Sequence, residues 1–102
     1  MNVQSEYFTD IKIGDFVAVS FENNQVLGFY CGSGRANTFQ FYSFWTIMNY
    51  NEGKTKKLYK SYVNANHKWR YAKVDPKQLN DAYLHKYHIS IDTLTKLNII
   101  KP

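Results

Sequence analysis

Over residues 12–21 the apolar and small side chains alternate with a period of two. Val17, Val19 and Phe21 fall on one side of an extended chain, and Phe16, Ala18 and Ser20 on the other. This predicts a first β-strand. Glu22-Asn23-Asn24-Gln25 then reads as a turn, because Asn tolerates positive φ. Residues 26–32 predict a second strand with Leu27, Phe29 and Cys31 on one face, and Gly28 inside it marks a bulge or a bend. After a Gly-containing turn at residues 32–36, residues 37–50 predict a long third strand with Phe39, Phe41, Trp45 and Ile47 together on one face. Asn51-Glu52-Gly53 predicts a hairpin onto a fourth strand at residues 54–63. The polar residues 64–67 lead into a fifth at residues 68–74.

The period changes after Val74. Asp75 suits an N-cap, Pro76 the first helical position and Gln78 the third, with Val74 and Leu79 placed to staple the entry. Leu79, Ala82, Tyr83, Lys86 and Tyr87 continue at helical spacing. A second start follows at Ser90, with Ile89 and Leu94 at staple positions and Ile91, Leu94 and Leu97 as an apolar stripe that fades at Asn98. The pattern predicts an α+β fold. A five-stranded antiparallel, strongly curved sheet or small barrel spans about residues 11–74, and two short helices over residues 75–100 complete one domain.

Length fits that reading: 102 residues make one domain with a modest core. Nine Tyr, seven Phe and two Trp fill such a core with few residues, since each ring buries about 150–250 Å². The single cysteine, Cys31, excludes an intramolecular disulfide and a cysteine-based zinc site, and suits a reducing compartment. Residues 1–10 lack a charged-then-apolar leader, and no apolar run approaches the ~20 residues of a membrane span. These features predict a cytoplasmic protein without membrane attachment. Ten Asn, eleven Lys and nine Tyr against two Arg suggest an AT-rich coding sequence of the kind common in bacteria and phages, which would place a phage-encoded protein in the host cytoplasm.

Charge sharpens the picture. The formal net charge is +5, but residues 1–53 carry −3, residues 54–74 carry +7 and residues 75–102 carry +1. Such asymmetry points to an acidic partner.

Two stretches resemble known families. Ile11-Lys12-Ile13-Gly14-Asp15-Phe16-Val17-Ala18-Val19 resembles the first strand of SH3-like barrels of the Tudor and KOW kind. That resemblance implies a small barrel that binds modified protein tails, RNA or protein. Tyr87-His88-Ile89-Ser90-Ile91-Asp92-Thr93-Leu94-Thr95-Lys96-Leu97-Asn98 resembles the second half of a helix-turn-helix and also the second helix of a LysM carbohydrate-binding module. The Gly-Asp-Thr turn of LysM is missing, and Leu84 stands near the position where helix-turn-helix proteins keep a small residue. A plain αα-corner packing Leu94 and Leu97 on the sheet explains the same residues.

Candidate chemistry is sparse. Asp81, His85 and His88 have the spacing to present metal ligands on one helix face, yet such residues on a wet helix face usually just face solvent; no metal or other cofactor is expected. His67 has no evident partner, and Cys31 alternates onto an apolar face as an inert thiol. Gly32-Ser33-Gly34-Arg35 is a turn that could hold a phosphate through backbone N–H groups and Arg35. The strongest signal is residues 54–74, where cations interleave with rings. Lys57, Lys60, Lys68, Arg70 and Arg35 suit phosphates, and Tyr59, Tyr62 and Trp69 suit stacking on bases. A solvated strand edge over a core of rings accounts for the same composition. The expectation is a non-enzymatic DNA- or RNA-binding domain. The alternative is a small protein-binding module or inhibitor, of the type phages use, that docks an acidic protein partner.

Overall fold

A computed structural model describes residues 10–34, 38–63 and 68–100. The elements run β1 (Phe16–Phe21), β2 (Asn24–Ser33), β3 (Phe39–Ser43), α1 (Phe44–Asn51), β4 (Ser61–Val63), β5 (Trp69–Lys73), a 3₁₀ turn (Pro76–Gln78), α2 (Asp81–His85) and α3 (Ile91–Lys96). The fold is α+β with one five-stranded antiparallel sheet in the order β4-β3-β2-β1-β5. Strands β1 to β4 form a meander, and β5 returns to the outer side of β1. β4 and β5 do not pair, so the sheet is open and no closed barrel forms.

Alternation along the central strands divides the interior in two. Phe16 and Phe29 point to the face covered by helices, where they join Phe44, Ile47, Leu84, Ile89, Leu94 and Ile99. Phe16, Phe29 and Phe44 stack mutually with ring centroids 5.3–5.7 Å apart. Val17, Val19 and Tyr30 point the other way and join Ile11, Phe39, Phe41 and Val63, with Trp69 and Tyr71 packed against them. The predicted faces of the first strand thus hold, although pairing starts at Phe16. Residues 12–15 form a turn in which Asp15 Oδ2 accepts the Lys12 N–H at 2.9 Å and Gly14 takes φ 98°.

The predicted third strand is two elements. β3 stops at Ser43, whose Oγ accepts the Thr46 N–H at 3.1 Å and donates to Thr46 Oγ1 at 2.8 Å, capping α1. Phe44, Ile47 and Met48 then share a helical face against the first core, and Trp45 turns outward at 70% exposure instead of joining Phe39 and Phe41. Asn51-Glu52-Gly53 is no hairpin. Gly53, at φ 76°, donates to Tyr50 O, and Lys54 N donates to Asn49 O at 2.9 Å, the paired bonds that terminate a helix on a left-handed residue.

The predicted helix from Asp75 is also divided. Asp75 caps only the 3₁₀ turn, accepting the Lys77 N–H at 2.9 Å. Asn80 then takes extended angles and accepts the Tyr83 N–H at 2.9 Å, restarting the chain as α2. Ser90 caps α3 as its sequence predicts. The positive φ of the first turn falls on Glu22, at 52°, and on neither Asn. The bulge in β2 falls between Tyr30 and Gly32, which leaves Cys31 as the extra residue. Gly28 serves close approach, since a Cβ there would lie 2.4 Å from the Tyr42 carbonyl oxygen.

Two expectations test this account by thermal melting. Gly28→Ala forces β2 from β3 and should cost at least about 1–3 kcal/mol, lowering Tm by several degrees; an unchanged Tm would contradict the close approach. Ser43→Ala removes a buried cap from an eight-residue helix and should cost about 1–2 kcal/mol, whereas Asp75→Ala, on a solvent-exposed three-residue turn, should cost only ~0.5 kcal/mol.

Candidate nucleic-acid interface

Register explains the shape of the basic stretch. β4 pairs Val63 with Phe39, Tyr62 with Gln40 and Ser61 with Phe41. The partner strand ends two residues beyond Phe41, at Ser43, where α1 takes over, so the chain before Ser61 has little strand left to pair with. Residues 54–60, expected as most of a strand, therefore run as irregular chain. Leu58 anchors the segment to the helix-side core, and Thr55 Oγ1 donates to Lys57 O at 3.0 Å. Lys54, Lys56, Lys57 and Lys60 are exposed around that anchor.

The aromatic residues of the stretch divide into two kinds. Val63 takes the core face of β4, so Tyr62 projects away and is 61% exposed; Tyr59, just before the strand, is 57% exposed. Trp69 and Tyr71 instead point into the second core, their centroids 5.2 and 4.8 Å from that of Phe39. Trp69, expected as a stacking candidate, is half-buried with its ring against Phe39, and the alternating face of β5 leaves Arg70 exposed beside exposed Lys68. Phe39 connects the two halves of the stretch, for Val63 lies opposite it in the sheet and Trp69 packs on its ring. Among the described residues β4 and β5 are the two outer strands of the sheet, so the cations before β4 and those of β5 lie at its two edges. Arg35 and His67 lie outside the described residues.

Electrostatics separate the cations further. Lys54 pairs with Glu52 at 3.2 Å. Lys73 donates to Asp10 O at 3.1 Å and lies 3.9 Å from Asp15 Oδ2. Lys56, Lys57, Lys60, Lys68 and Arg70 form no ion pair among the described residues. Tyr71 donates to Asp10, and burial first, then that bond and the Asp10 charge, raise its phenol pKa. The Glu52 carboxyl is held below the usual carboxylate range by hydrogen bonds with His88 Nδ1, at 2.7 Å, and with Lys54. Half-buried Cys31 has its thiol pushed up to about 11 by burial, with the nearby Lys60 charge opposing.

Other candidates do not assemble. Asp81 Oδ1 accepts the Ile91 N–H at 3.2 Å, His88 bonds Glu52, and among the described residues no group of three or more His, Cys, Asp or Glu side chains could hold a metal ion. In the Gly-rich turn the Gly34 N–H donates to Thr38 O and Oγ1, both at 3.1 Å, which occupies it within the turn. A feature absent from the sequence reading is an apolar groove of about 380 Å³ beside Trp45, lined also by Val26, Leu27, Phe44, Met48 and Tyr87. The signal for it was Ser43 before Phe44, a cap that turns Trp45 out of the sheet. No helix among the described residues is long and apolar enough to cross a membrane. No family model, curated protein or solved structure matches the chain.

The Cys31 environment predicts slow alkylation. At pH 8 the native protein should react with iodoacetamide on the order of 100-fold more slowly than the unfolded chain, because so little thiolate is present. Its rate should keep rising with pH toward about 11; a plateau near pH 9 would show an ordinary thiol.

Proposed function

We propose that this protein is a non-enzymatic nucleic-acid-binding domain whose contact surface is the basic rim between the unpaired edges of β4 and β5. One observation carries the reading. Of the seven cations in residues 54–74, Lys54 and Lys73 are paired with carboxylates, whereas Lys56, Lys57, Lys60, Lys68 and Arg70 have no ion partner among the described residues, and Lys57 and Lys60 neighbour the exposed rings of Tyr59 and Tyr62 in the sequence. A row of unpaired cations gains free energy from displacing counterions on a polyphosphate, and exposed rings give bases a surface to stack on.

The proposed geometry is a sheet curled toward an SH3-like half-barrel. Strands lie about 4.8 Å apart, so β3 and β5, separated by two strands, would sit roughly 14 Å apart in a flat sheet. The Phe39 and Tyr71 rings nevertheless meet at 4.8 Å, which supports a curl that brings the two edges around the second core. Curvature concentrates the positive field along the opening.

A protein-binding module is the second reading, favoured by Trp45. Exposed tryptophans often anchor interfaces, and this one borders an apolar groove. Pull-down from nuclease-treated lysate separates the two readings: partners lost with nuclease favour nucleic acid, and partners retained favour protein.

The main test is titration of labelled single- and double-stranded DNA and RNA at two salt concentrations. Log K should fall linearly with log salt, and absence of binding to all four at low salt would end the proposal. Lys60→Glu with Arg70→Glu should alter stability by no more than about 0.5 kcal/mol per site, both residues being exposed. The same pair should abolish binding at moderate salt. Unfolding of the double variant would instead assign those positions to the fold.

A further inference from the structure

We infer that the basic rim takes single-stranded nucleic acid in preference to duplex, with Tyr59 and Tyr62 as its base-stacking platforms. The inference rests on the nucleic-acid reading above and narrows it. Duplex readers place a helix or a two-stranded ribbon in a groove. Here α1 carries no charged residue, α2 carries no Lys or Arg, and α3 carries only Lys96, which pairs with Asp92 Oδ2 at 3.0 Å. Within these three helices, then, the one Lys or Arg already has a carboxylate partner; Lys86, just past α2, lies 4.6 Å over the Tyr83 ring, and Lys77 sits on the separate 3₁₀ turn. β4 spans three residues, too short to make a ribbon that reaches base edges.

The unpaired cations lie instead on irregular chain and on edge strands, close in sequence to two rings. Tyr59 and Tyr62 are more than half exposed, and neither ring stacks on another aromatic side chain among the described residues, in contrast with Trp69 and Tyr71. A base in a duplex has both faces covered by its neighbours and cannot use such rings; an unpaired base can. Lys57 and Lys60 stand beside the rings in sequence, so phosphate attraction and stacking would act on the same few nucleotides. Since every base has a π-face, the site should tolerate sequence and sugar, and bind DNA and RNA strands alike.

The test uses the full chain with three probes: fluorescein-labelled oligothymidylate, oligouridylate of the same length, and a blunt DNA duplex of that length. Both single strands should bind more tightly than the duplex at equal salt. Tyr59→Ala and Tyr62→Ala should each weaken single-strand binding about 5- to 100-fold and leave duplex binding within about two-fold. Tyr→Phe at either position should retain affinity. Tyr→Leu keeps apolar bulk without a stacking ring, so it should lose affinity even if an Ala variant folds poorly; melting curves on every variant check folding. Duplex binding as tight as single-strand binding, or full affinity in the Leu variants, would overturn this inference and leave nucleic-acid binding standing. Failure of all three probes at low salt would overturn both.

Discussion

The fold depends on β1 being buried on both faces at once. Phe16, Val17, Ala18 and Val19 are consecutive and all buried, with β2 on one side and β5 on the other. Because neighbouring strand residues point to opposite faces, Phe16 nucleates the helix-side core and Val17 and Val19 the other. A one-residue slip in register would exchange these sets, putting valines among the stacked phenylalanines and Phe16 against Phe39 and Trp69. Both layers, and through them the positions of β4, β5 and the helices, follow from keeping that register.

The parts of the fold legible in the sequence were those with strong local contrast. In β1, Val17, Val19 and Phe21 alternate with smaller or oppositely facing residues; Ser90 before Ile91 gives a cap before an apolar stripe; and in β5 the rings of Trp69 and Tyr71 are separated by Arg70. α1 was illegible because seven of residues 39–48 are apolar or aromatic, so both a two-residue and a helical period fit them. Ser43 decided between the periods through a bond that composition does not display. The short β4 was hidden for a different reason: its length is set by where its partner strand ends, and pairing is a non-local property. The break at Asn80 has the same character as that at Ser43, a side chain that accepts a backbone N–H and restarts the helix.

Of the candidate site, the cations were legible and the rings only in part. Lys57, Lys60, Lys68 and Arg70 are exposed, as charge alone predicts. Tyr59, Tyr62, Trp69 and Tyr71 look alike in the sequence, since each is an aromatic residue near a Lys or Arg. Facing direction separates them, and that depends on which strand residue opposes Phe39. The proposed surface is thus set by the packing of one buried phenylalanine. Tyr71 and Lys73 extend the same logic at the other end of β5, where both bond to Asp10 and tie the start of the described chain to its edge strand.

The return of β5 to β1 has a consequence for biosynthesis. Val17 meets its outer partner only when Lys73 has been made. At typical elongation rates of about 5–20 residues per second, that gap is on the order of seconds. During that interval the nascent meander can pair β1 with β2 but leaves the far side of β1 as an open edge, rich in valine and bare of charge from Phe16 to Phe21. Such an edge accepts any extended strand nearby, including β5 or β1 of another emerging copy. In the finished chain Lys68, Arg70 and Lys73 close that interval and put charge on the new edge, so the residues that complete the sheet also guard it.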